Sequence, residues 1–166
     1  MSNTPRPAGL TVLVPARNEE DRIAETVRAL QRDFPSAEVI VVDGRSVDRT
    51  AERAEAAGAA VLRVERLGKG EALSAGERAA PPGPLLLVDA DLRGSLLPLT
   101  RSEADLAVAA FSRRVGGGFG IAKRVGRELV RLRTGVSPRE PLSGQRLVSA
   151  RARAVCFPVA SGFGCE

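Results

Sequence analysis

Asp89 and Asp91, separated only by the small Ala90, stand at the end of the apolar run Leu85–Val88. Two carboxylates one residue apart suit a single hard divalent cation, Mg2+ or Mn2+, whose remaining positions are filled by phosphate oxygens and water. The plainer alternative is a pair of acids capping the next helix. Lys69 lies between Gly68 and Gly70 at a candidate helix start, where an ammonium and free backbone N–H groups suit a phosphate. A solvated turn lysine is the competing reading. Asp43 closes the run Val39–Val42 and is placed either to accept an N–H from a planar base or to cap a helix. Arg146 follows the permissive Ser143-Gly144 and carries the fork that matches a phosphate or an acceptor carboxylate, unless it is a surface arginine.

These residues need elements to hold them. Leu10–Val14 reads as a buried strand closed by Pro15, and Ile23, Val27 and Leu30 recur at helical spacing after it. Asn18 is the expected cap of that helix, with Glu19, Glu20 and Asp21 in its first turn. Val39–Val42 predicts a second strand, Arg49–Ala57 a helix capped by Ser46 or Asp48, and Val61–Val64 a third strand. Lys69–Ala80 predicts a third helix, Leu85–Val88 a fourth strand and Leu106–Phe111 a further one. The alternation is that of a parallel α/β sheet, in which ligands bind beyond the carboxyl ends of the strands. Past a Gly-rich loop at Val115–Gly120, Ile121–Arg133 reads as an amphipathic helix. Ile121, Val125, Leu129 and Leu132 line one side, and Lys123, Arg127 and Arg131 form a basic ridge on another.

With 166 residues, 43% of them hydrophobic, and a mean hydropathy of -0.06, the chain reads as one globular domain behind a disordered lead-in at 1–9. No apolar run approaches the roughly 18 residues of a membrane helix, and the N-terminus lacks the apolar core of a signal peptide. There is no His, and the two cysteines lack metal-site spacing, so a zinc site is excluded and reduced cytoplasmic thiols are expected. The net charge of +5 is unevenly placed: from Arg113 to Arg153 eleven Lys/Arg face only Glu128 and Glu140, a local +9. Such a segment suits an anionic partner or is simply a solvated arginine-rich surface. Nucleic acid is not expected of a chain without Trp or Tyr.

Val14-Pro15-Ala16-Arg17-Asn18-Glu19-Glu20, Val41 through Thr50, Gly68-Lys69-Gly70 with Ala72-Leu73, and Asp89-Ala90-Asp91-Leu92 resemble, in that order, the motifs of GT-A glycosyltransferases of family 2. Pro141-Leu142-Ser143-Gly144-Gln145-Arg146 and Gly162–Glu166 are especially similar to glucosyl-3-phosphoglycerate synthases and nearby bacterial glycosyltransferases. The resemblance implies a GT-A, Rossmann-like nucleotide-diphospho-sugar transferase sheet with flanking helices, and transfer of a sugar from a UDP-sugar. Pro15, Ala16, Arg17, Glu19 and Asp43 would surround the nucleoside, with Lys69 near the nucleotide. Asp89 and Asp91 would hold Mg2+ or Mn2+ and the diphosphate. Leu142, Ser143, Gly144 and Arg146 would lie on the sugar and acceptor side, with Glu166 as the catalytic base. The expected domain spans 10–166, a nucleotide-binding half at 10–92 and an acceptor-side half at 93–166. That second half is expected to be incomplete, because the resembling enzymes continue past the position of Glu166.

Three departures accompany the resemblance. Gly44-Arg45 stands where the family shows an acid or Ser followed by Gly. Phe119-Gly120-Ile121 replaces an acceptor-gripping Arg-Val-Thr, which argues against a phosphoglycerate acceptor. The absence of His removes a metal ligand that relatives supply. Expected partners are the nucleotide-sugar donor, an unidentified anionic acceptor, a second copy of the chain as a homodimer and a peripheral membrane contact through the basic ridge. A solvated outer face is the alternative for that ridge. The alternative function is a truncated or degenerate member that binds nucleotide without turnover. A nucleotidyltransferase is a weaker third, since Pro15-Ala16-Arg17-Asn18 replaces its Gly-rich loop.

Overall fold

The computed structural model describes residues 8–65, 68–110, 120–136 and 143–160. Its central sheet is built from β1 (Thr11–Ala16), β2 (Glu38–Asp43), β3 (Ala60–Arg63), β4 (Leu85–Leu87), β5 (Leu106–Val108) and β6 (Arg146–Val148), in the order β3-β2-β1-β4-β6-β5. The helices are α1 (Ile23–Asp33), α2 (Thr50–Ala56), α3 (Lys69–Ala79), α4 (Gly120–Thr134) and α5 (Ala150–Cys156), with a 3-10 turn at Leu97–Arg101.

Strand periodicity explains the layers. Val12, Val14 and Ala16 face one side together with Val39, Val41, Leu86 and Val88, where Ile23, Val27, Leu30 and Phe34 of the α1 segment cover them. Leu13, Ile40, Val42, Leu85 and Leu87 face the other side, under Ala72 and Leu73 of α3. Both faces of β1, β2 and β4 are therefore dry, which is why these strands are continuous apolar runs rather than alternating ones. Proline survives in a central strand for a register reason. The Thr11 N–H donates to the Pro84 carbonyl and the Leu13 carbonyl accepts from Val88, so Thr11, Leu13 and, by alternation, Pro15 point toward β4. Because β4 pairs only Thr11–Leu13, the missing N–H of Pro15 lies beyond its end.

The sheet departs from the expected all-parallel form. β6 is antiparallel to both β4 and β5 and lies between them. Three residues are too few to carry a periodic signal, and β6 was not expected from the sequence; neither was α5. The strand expected over Leu106–Phe111 ends at Val108, and Phe111 lies outside the described residues. Asn18 does not cap α1. Its φ is 55°, and Arg22 precedes the helix without a side-chain cap. Glu19 instead turns the chain, its carbonyl accepting from Arg22 and Ile23, and leaves Glu25 as the first-turn acid. Asp48 does brace α2, accepting from the Thr50 N–H at 3.0 Å and from the Thr50 hydroxyl.

Much of the basic segment proves structural. Arg153 donates through Nε to Glu77 at 2.8 Å and through its terminal nitrogens to the carbonyls of Glu77, Ala80, Pro81 and Gly83. It thereby closes the C-terminus of α3, where carbonyls lack helical partners. Arg151 pairs with Asp105, which also accepts from the Ser149 hydroxyl at 2.8 Å and joins β5 to α5.

Both acids set an acid limit to stability. For Asp48, loss of solvent pushes its carboxyl up, but hydrogen bonds from the Thr50 hydroxyl and the Thr50 and Glu20 N–H groups outweigh it, leaving it below 3.8. Asp105 is held below the same value chiefly by Arg151 and Ser149. A depressed carboxyl stabilises the fold fully above its unfolded pKa and loses that contribution as pH falls through its folded value. Urea midpoints should therefore fall as pH drops below 3.8. Asp48→Asn and Asp105→Asn should each flatten that fall, and slopes equal to the parent's in both variants would contradict it.

Candidate functional site

The polar rim begins where β1 and β2 end side by side, Ala16 opposite Asp43. Two loops leave these ends and hold each other. Asn18 donates its N–H to the Ser46 hydroxyl at 3.0 Å and accepts from the Val47 N–H at 2.9 Å through its side-chain carbonyl. The Glu19 N–H donates to the Thr50 hydroxyl at 2.8 Å, and the Glu20 N–H to Asp48 at 3.2 Å. Each loop satisfies the other's backbone, so the rim is organised without a ligand. Asn18 and Arg45 hold φ of 55° and 61°, a region costly for side-chain-bearing residues. Arg45 occupies the place where the resembling stretch has Gly, so this chain accepts strain there.

Asp43 is buried at 5% exposure, and its carboxylate accepts from the Ser46 hydroxyl and, at 3.3 Å, from the Ser46 N–H. Pro15 and Glu19 are half-buried, Ala16 is buried and Arg17 is exposed. The Glu19 carboxylate lies 3.5 Å from Arg22. These five residues thus share one rim.

Asp89 is the meeting point of three distant segments. Lys69, at the first position of α3, donates Nζ to Asp89 Oδ1 at 2.8 Å; its side chain is 15% exposed against 32% for the carboxylate. Gln145 Nε2 donates to Asp89 Oδ2 at 3.1 Å. Gly144 passes so close that a Cβ there would stand 2.2 Å from Oδ2. Ser143 supports the turn by bonding Gln145 at 3.2 Å, and Arg146 Nε donates to the Ser143 carbonyl at 2.9 Å. The structure therefore brings Lys69, Asp89, Ser143, Gly144 and Arg146 together. Gln145, buried at 7%, is the residue the sequence reading passed over. An amide next to a Ser-Gly pair was the available signal. Leu142 and Glu166 lie outside the described residues.

Asp91 is exposed and lines a cleft of about 720 Å³ together with Arg22, Thr26, Arg32 and Arg93 among others. Between the two acids Ala90 is buried, its carbonyl accepting from the Thr26 hydroxyl at 2.7 Å. Among the described residues no cluster of three or more His, Cys, Asp or Glu side chains could by itself hold a metal ion.

The profile of "Glycosyl transferase family 2" matches residues 11–93. The chain is 30% identical over 174 residues to glycosyltransferase AglJ of Haloferax volcanii, covering 98% of this chain and 57% of that protein. A 4,4'-diaponeurosporenoate glycosyltransferase of Staphylococcus haemolyticus is 36% identical over 90 residues, covering 50% of this chain and 24% of that one. Among solved structures, glucosyl-3-phosphoglycerate synthase from Mycobacterium tuberculosis, in complex with Mn2+, UDP-glucose and phosphoglyceric acid, superposes with a TM-score of 0.75 at 28% identity. That superposition covers 94% of this chain and 61% of the synthase chain, and it bears out the GT-A architecture. The chain thus spans about three-fifths or less of these relatives' lengths.

The contact between Gly144 and Asp89 has a mechanical consequence. Gly144→Ala should destabilise the chain by about 1–3 kcal/mol, as overpacking does. In an Asp89→Ala background the same change should cost much less, because the clashing oxygen is gone. Urea unfolding of the four variants measures this coupling, and equal costs in both backgrounds would exclude the contact.

Proposed function

Because the chain belongs to glycosyl transferase family 2, we propose that it forms the donor side and part of the acceptor side of a glycosyltransferase that uses a nucleotide-diphospho-sugar, with a UDP-sugar as donor. Residues 10–92 carry the nucleotide and residues 93–166 contribute to the acceptor side. The observation that carries this reading is the convergence of Lys69, Gln145 and Gly144 on Asp89 at the carboxyl end of β4. The synthase bound to UDP-glucose and Mn2+ supports the choice of donor.

A divalent cation fits the donor set, since Asp89 and Asp91 are oxygen ligands that reach solvent and a hard ion completes its shell with phosphate oxygens and water. When bound, Mg2+ or Mn2+ supplies positive charge against the leaving diphosphate. The chain's own residues do the rest. Lys69, held at the rim by Asp89, adds a second cation near the same phosphates, fixed in place before reaction. Asp43, steadied by Ser46, offers a buried carboxylate to a base N–H. Pro15, Ala16, Arg17 and Glu19 wall the nucleoside on the adjoining loop. Ser143, Gly144 and Arg146 place the acceptor-side turn against the donor end of the site. An acceptor hydroxyl or phosphate attacks the anomeric carbon, with Glu166 as the candidate base for an inverting outcome. An anionic acceptor is supported by two relatives, one named for diaponeurosporenoate and one bound to phosphoglyceric acid.

Calorimetric titration of UDP, with and without Mn2+, tests the reading. Asp91→Ala and Asp89→Ala should each remove the Mn2+-dependent part of UDP affinity. Lys69→Ala should weaken UDP more than uridine by about 1–3 kcal/mol, the range for a hydrogen bond to a charged group. Metal-dependent UDP binding that survives in both aspartate variants would overturn the proposal.

A further inference from the structure

Helix α4 presents an apolar stripe that no described element covers. Val125, Leu129, Leu132 and Val136 recur at helical spacing along and just beyond it and are 53%, 62%, 78% and 61% exposed. The remaining turns are basic: α4 contains five Lys/Arg and one acid, Glu128, which Arg131 pairs at 3.0 Å. At 3.6 residues per turn Arg124 and Arg133 fall on opposite flanks of the stripe, and the fifteen residues give a rod of about 22 Å.

We propose that α4 is a docking surface for an anionic lipid bilayer, lying in the interface with Val125, Leu129, Leu132 and Val136 toward the acyl chains and Arg124 and Arg133 at the headgroups. The argument is charge complementarity in depth order. An anionic membrane offers negative charge at its surface and apolar matter just beneath, and α4 carries the matching pair on adjoining strips. A second copy fits worse, since packing stripe on stripe sets two strongly cationic helices side by side. The arginines that the fold consumes, Arg151 and Arg153, lie on α5, whereas Arg124 and Arg133, which flank the stripe, lie on α4. A solvated outer face would account for the arginines but not for four exposed Val and Leu residues in register with one another.

Co-sedimentation of the full chain with vesicles tests the proposal without reference to donor binding or turnover. Vesicles of phosphatidylcholine alone are compared with an equimolar mixture of phosphatidylcholine and phosphatidylglycerol, at low and high salt. The chain should pellet with the mixed vesicles and be released by salt. Arg124→Gln and Arg133→Gln should each weaken partitioning about fivefold, and Leu129→Ser with Leu132→Ser by about tenfold or more. Far-UV circular dichroism and urea midpoints should match the parent, because these side chains are exposed. No binding to mixed vesicles, equal binding to neutral ones, or parental binding by the serine variant would each overturn the proposal. So would a concentration-dependent dimer that the serine variant abolishes, which would assign the stripe to a second copy.

Discussion

A sheet that is dry on both faces leaves only one kind of place for polar chemistry, the ends of its strands. Val12 and Leu13, Val41 and Val42, and Leu86 and Leu85 point to opposite sides and are all buried to 5% or less. A charged group on either face would be desolvated without a partner, at a cost of several kcal/mol. Asp43 and Asp89 escape that cost because they follow the last apolar residues of β2 and of the β4 segment. The rim is therefore the consequence of the core, and the late segment must reach back to that rim to take part in it.

It reaches back through β6. By inserting antiparallel between β4 and β5, this strand delivers Gln145 to Asp89 across 56 residues of chain. The local register is tight enough that a Cβ at position 144 would have to displace the Asp89 carboxylate. The Lys69–Asp89 pair is partly solvated, so its net contribution to stability is modest. Its importance is geometric, since it sets where one cation and one carboxylate stand before any ligand arrives. The mutual latching of the two first loops works in the same way, with backbone strain at Asn18 and Arg45 offset by hydrogen bonds that each loop supplies to the other.

The strands β1 to β4 and the helices between them were legible because each apolar run was long enough, and each break clear enough, to mark one element. The sequence also pointed to Asp43 and Asp89 on the rim, since a polar residue after an apolar run has a physical reason to be at a strand end, and to Lys69, set between two glycines at a helix start. What escaped was decided by distant partners. Asn18 has the chemistry of a helix cap, yet Ser46 and Val47 claim it from another loop. β6 is three residues long, and its strand character comes from its neighbours rather than its own pattern. Gln145 gained its role only once β6 had placed it.

The arginines make the same point about charge. Read as a run, Arg113 to Arg153 is one basic segment, but its members are not equivalent. Arg153 is 12% exposed and gathers the carbonyls at the end of α3 together with Glu77, an assignment that no charge count could reveal. Arg151 is tied to Asp105, and Arg146 bonds the turn that precedes it. Removing these from the electrostatic tally shifts the basic character toward α4, where the side chains surround an apolar stripe instead of a carbonyl cluster. A guanidinium presents a rigid fork of donors, so one that lies near orphan acceptors, as Arg153 does, is spent on structure.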